Sequence, residues 1–132
     1  MKLKRARDVP ARRLAGATVG LFGPVFALPL LIDPYRWARA FGWREEPVTD
    51  VGLYFGRCLG ALATASVIQA ARAARDPRGN AGYFEFAEAA GWLLAVVHVR
   101  GLLEGRQPPI EHAEIVGYSA AALAARRFAP GR

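Results

Sequence analysis

Four ionisable side chains stand where a helical chain has least use for charge: Arg57, His98, Glu111 and Glu114. Arg57 is the single charge in Val51 to Ala71, a run of 21 residues. An arginine that far into an apolar span costs roughly 2.5–3.5 kcal/mol on insertion scales, so it is expected to face the protein interior beside an acid or a carbonyl. Asp50, Tyr54 and Arg57 step by four and three, and Glu111, Glu114 and Tyr118 by three and four. Each set therefore lies on one helical face. Packing the two faces together places Arg57 against one or two carboxylates, with His98 and two phenols beside them, and a bidentate pair offsets much of the burial cost.

Two readings of this cluster follow. One is an interhelical salt bridge that locks the helices. The other is a polar pocket in the outer half of the bundle, formed by Asp50, Tyr54, Arg57, His98, Glu111, Glu114 and Tyr118, with more kinds of titratable group than one structural pair requires. In an enzyme, Glu114 or His98 is the acid or base and Arg57 stabilises a developing anion. Metal binding is set aside: His98 and His112 can join Glu111 or Glu114, but neither H-x-x-x-H nor E-x-x-H spacing occurs.

The elements that must carry these residues are long apolar stretches. The first span runs from Leu14 to Ile32 without a charged side chain, the second covers 51–71, the third 82–103 and the fourth 110–125. A 21-residue helix is about 31 Å long, the thickness of a bilayer's hydrocarbon core. The fourth run covers only about 24 Å and is short or begins inside the interface. Mean hydropathy is barely positive because charge is concentrated between the runs. A soluble bundle spreads its charge along each helix. The expected fold is all-α: one integral membrane four-helix bundle over 14–132, preceded by a basic tail over 1–13.

Punctuation between the spans adds detail. Gly16, Gly20 and Gly23 form a small-residue ridge for close helix approach, and Pro24 and Pro29 are expected to kink the first span. Asp33 can cap a short helix from Pro34 to Gly42, whose Tyr35, Trp37 and Phe41, with Trp43 after it, suit a membrane interface. Glu85 and Glu88 open the third span, near Arg72, Arg75 and Arg78. They read as structural partners of that basic loop, or as the inner half of a proton path to His98 and Glu114.

Charge sets orientation. Six basic residues fall in 1–13, three in the middle loop and three at the C-terminus; the other two connections carry three and two. Twelve against five is a positive-inside bias for four spans with both termini cytoplasmic. The net charge of +7 does not indicate nucleic acid, since the basic residues cap alternate ends of apolar runs and form no stripe. Cys58 is the sole cysteine, so there is neither a disulfide framework nor a thiol metal site. The first apolar run is too long for the core of a cleavable signal, and Asp33-Pro34 follows it instead of a small-residue cleavage site.

With its aromatic-basic segment DPYRWARAFGW after span one, and Gly56-Arg57-Cys58-Leu59-Gly60 in span two, the chain resembles the small bacterial four-span membrane proteins of the DoxX-like kind over spans one to three. That resemblance implies a four-helix bundle in the bacterial inner membrane, in some members linked to quinone or thiol redox chemistry; the redox cysteine pair is missing here. The leading expectation is a binding protein or accessory subunit that accommodates a lipophilic, quinone-like small molecule, with no cofactor of its own and membrane lipid around it. The alternatives are a membrane enzyme of isomerase, cyclase or hydrolase type, a proton-coupled transporter subunit, and a scaffold. A chain this short can also form a homo-oligomer through its Gly/Ala faces.

Overall fold

The computed structural model describes residues 8–44 and 47–131. Lys2, Lys4, Arg5, Arg7, Glu45, Glu46 and Arg132 lie outside the described residues. The rest is helical, with no strand among the described residues. Five helices follow in order: α1 Val9–Ile32, α2 Pro34–Ala40, α3 Asp50–Arg75, α4 Ala81–Glu104 and α5 Glu111–Phe128. Helices α1, α3 and α4 are long and apolar enough to cross a membrane. Most of their large apolar side chains, among them Leu21, Phe55, Leu62, Leu93 and Val96, point outward, which a bilayer accommodates and water does not.

Helix α1 begins at Val9, five residues before the expected span, because Pro10 is well placed in a first helical turn. Its middle, Thr18–Ala27, is π-helical and contains Pro24. Pro29 has no N–H to offer the carbonyl of Val25 four residues back. The indole Nε1 of Trp37 donates to that oxygen instead, at 2.9 Å, so the backbone group freed by the proline is satisfied from α2. Asp33 caps α2 as expected, its Oδ1 accepting from the N–H of Arg36 at 3.0 Å.

Close approach occurs elsewhere than on the expected ridge. A Cβ at Gly16 or Gly20 would meet nothing, and at Gly23 only Val67 at 3.5 Å. At Gly60 it would run into the backbone of Leu31, and at Gly56 into Pro34. Positions 56 and 60 share one helical face, which binds α3 to α1 and α2. On the other side of the molecule, Gly91 lets α4 approach α5, where a Cβ would meet Ala122 Cβ and the Tyr118 carbonyl oxygen at 2.9 Å.

The alanine-rich core lies at one end, where Ala11, Ala15, Ala70, Ala73, Tyr83 and Phe84 pack together. The Tyr83 hydroxyl donates to Thr18 Oγ1 at 2.9 Å. Polar contacts close the same end. Arg12 donates to the carbonyls of Ala74 and Arg75 at the C-terminus of α3, Arg78 pairs with Asp8 at 3.1 Å, and Arg126 approaches Glu88 at 3.9 Å. A guanidinium over the last carbonyls of a helix satisfies orphan acceptors and the helix dipole together.

Candidate functional site

Two tight turns build the opposite end of the molecule. Gly105 is left-handed (φ 64°) and ends α4. Its N–H donates to Leu102 O at 3.1 Å, and that of Arg106 to Gly101 O at 3.3 Å, the paired bonds of a Schellman motif. Pro108 and Pro109 then start α5, bringing Glu111 and Glu114 back against α4. After α2, Gly42 (φ 78°) turns the chain so that the Trp43 N–H bonds Ala38 O at 3.1 Å, and its ring reaches the start of α5.

Glu111 is 2% exposed, a depth that a carboxylate tolerates only with donors around it. Trp43 Nε1 donates to its Oε1 at 3.0 Å, and His98 Nε2 lies 3.2 Å from its Oε2. The same His98 nitrogen lies 3.2 Å from Glu114 Oε2. His98 Nδ1 is 2.8 Å from the carbonyl oxygen of Leu94, which can only accept, so Nδ1 carries a proton. Nε2 is thus the atom turned to both carboxylates. The Glu114 carboxylate is hydrogen-bonded to the Tyr118 hydroxyl, while its Oε2 is buried without a well-aligned donor. The ring of Tyr118 lies 5.1 Å from that of His98, tilted by 47°.

Glu114 also lines an apolar cleft of about 300 Å³ between α1 and α5. Its walls are Leu21, Phe22, Val25 and Phe26 of the π-helical segment, facing Gly117, Tyr118 and Ala121. Phe22 stacks on Phe26, and Phe26 packs against Trp37 at 5.0 Å with the rings tilted by 52°, so the row of rings beside the proline-interrupted backbone sets one wall. Glu114 is the carboxylate in a cleft otherwise lined by apolar and aromatic side chains.

Of the seven side chains expected together, the structure gathers His98, Glu111, Glu114 and Tyr118. It does not bring in Asp50, Tyr54 or Arg57, all three exposed. Arg57 makes no ion pair with another described residue, which corrects the expected Arg57–carboxylate contact. The reason is rotation of α3: its glycine face, 56 and 60, must meet α1 and α2. Position 57 lies about 100° round the helix from 56 and points away. The G-R-x-x-G element is accordingly a packing surface in its glycines. Glu88 belongs to the other end with Arg126, about 18 Å along α5 from Glu114.

One member was missed. Trp43 reads from sequence as an interfacial ring, yet it is a direct donor to Glu111. The available signal was the need of a buried Glu111 for a donor; nothing local to Trp43 indicates the partner. Single-helix spacing sets metal binding aside, yet His98 of α4 and Glu111 and Glu114 of α5 bring one donor atom each within 4.8 Å of one another. Comparison with family models, with curated proteins and with solved structures gives no match.

Proposed function

We propose that this chain is a four-span membrane protein that binds a lipophilic small molecule in the cleft between α1 and α5, with the polar end of that molecule at Glu114. The supporting observation is an apolar, aromatic-walled cleft whose lining includes a single carboxylate residue, Glu114. Apolar cavities with few, convergent polar groups are the usual form of small-molecule sites. A quinone-like ring with a hydroxyl or carbonyl edge fits this chemistry, in keeping with the DoxX-like resemblance.

Helix α5, 18 residues and about 27 Å long, is the fourth span in this reading, and α2 with Trp37 and Phe41 lies in the interface. Both termini face the cytoplasm of a bacterial inner membrane. The ties of Arg12 to the α3 end and of Arg78, in the loop after α3, to Asp8, with Arg126 against Glu88, agree with the positive-inside count. Acid-base catalysis on the bound molecule is the second reading, favoured by His98 Nε2 standing within 3.2 Å of two carboxylates.

The test is mass spectrometry of lipophiles extracted from the purified wild-type protein and from an Ala121→Trp variant whose added ring fills the cleft. A discrete non-phospholipid compound, near one per wild-type chain and at least tenfold depleted in the variant, supports the reading. Bulk membrane lipid alone in both proteins contradicts it.

A further inference from the structure

In the group His98, Glu111 and Glu114 a single imidazole nitrogen faces two carboxylates, and the Tyr118 hydroxyl hydrogen-bonds to one of them, Glu114. Nδ1 of His98 is committed to the Leu94 carbonyl at 2.8 Å. Nε2 therefore presents its one remaining position to two carboxylate oxygens, each 3.2 Å away. A proton there points at only one of them, and Glu114 Oε2 is left buried without a well-aligned donor.

A metal ion resolves this arrangement. Ligand atoms bound at about 2.0–2.2 Å around one ion stand roughly 3.0–3.5 Å from their neighbours, the spacing found here from nitrogen to each oxygen. One donor atom from each of the three residues lies within 4.8 Å of the others. The outer contacts are those of a metal site as well: the second nitrogen of the histidine is held by a backbone carbonyl, and the second oxygen of Glu111 by the Trp43 indole at 3.0 Å. Glu111 and Glu114 are three apart on α5 and project from one face, so two ligands arrive on one rigid element and the third from α4.

We propose that His98 Nε2, Glu111 and Glu114 bind a divalent transition-metal ion, one per chain. One imidazole with two carboxylates is a donor set for Zn²⁺, Mn²⁺ or Fe²⁺. The site stands on the geometry of these three residues; the cleft reading adds only that Glu114 belongs to both.

The experiment uses the full chain in detergent, stripped with chelator, re-loaded separately with Zn²⁺ and Mn²⁺ at neutral pH, and assayed by elemental analysis after gel filtration and by thermal unfolding. Wild-type protein is expected to retain one equivalent of at least one ion and to unfold at a higher temperature with it. Glu114→Gln and His98→Gln each weaken retention by more than tenfold, Trp43→Phe by about tenfold, and His112→Gln leaves it unchanged. If a ligand variant fails to fold, the wild-type stoichiometry and thermal shift still decide. Absence of retention and of a thermal shift with both ions overturns the proposal, as does equal retention in the Glu114→Gln and His98→Gln proteins. The Ala121→Trp protein separates the two readings, because it is expected to lose the lipophile and keep the metal.

Discussion

The indole of Trp43 donates to Oε1 of Glu111 at 3.0 Å across 68 residues of sequence. It ties the loop after α2 to the first turn of α5, so a side chain from the first half of the chain fixes a carboxylate buried in the second. Replacing Trp43 with Phe keeps the ring and removes the N–H. The buried carboxylate then loses a donor, at a cost of about 1.5–3 kcal/mol, read as a lower unfolding temperature in detergent. An unchanged unfolding temperature would show that Glu111 does not depend on this bond.

Glycines separate the two possible packing faces. Gly60→Ala places a methyl against the backbone of Leu31, which cannot yield as a side-chain tip can, so α1 and α3 must part. The expected loss is about 1–3 kcal/mol or more. Gly20→Ala meets nothing and is expected to be neutral or to stabilise by up to about 1 kcal/mol through helix propensity. The opposite order of stabilities would restore the Gly16–Gly20–Gly23 ridge as the packing surface.

Arg57→Leu distinguishes the exposed position from the expected buried one. With no described acid beside it, loss of the charge is expected to leave stability unchanged or raised and lipophile binding unaltered. A buried pair broken in this way would instead cost about 3–5 kcal/mol. Unfolding together with the lipophile extraction decides between them.

The sequence was informative about elements and less so about their rotation. Asp33-Pro34 and the long apolar runs marked helix positions well, since capping chemistry and span length are local properties. His98, Glu111 and Glu114 were also legible as neighbours, because a short turn between α4 and α5 forces their ends together. Charge balance alone pairs Arg57 with an acid, but a stronger constraint decides its side of the helix. Gly56 and Gly60 dictate which face of α3 meets α1 and α2, and the arginine takes whatever side remains. Trp43 depends on a left-handed Gly42 and a contact to a distant helix, and no periodicity announces either.

The proline repair in α1 gives a test by double substitution. Trp37→Phe removes the donor to Val25 O, at an expected cost of about 1–3 kcal/mol. Pro29→Ala restores an N–H four residues after Val25. In that background Trp37→Phe is expected to cost measurably less, a coupling of about 0.5–3 kcal/mol in a double-mutant cycle of thermal unfolding. Strict additivity would mean that the indole serves some other end.

The claim on which the proposed function rests is that a lipophile occupies the cleft beside Glu114. A photoreactive benzoylphenylalanine put in place of Phe26, which lines that cleft, tests this against the same group in place of Leu62, which is exposed on α3. Irradiation in membranes followed by intact-protein mass spectrometry is predicted to give a discrete adduct at position 26, absent at position 62 and lost when Glu114→Gln is added. Identical phospholipid adducts at both positions, indifferent to Glu114, would contradict it.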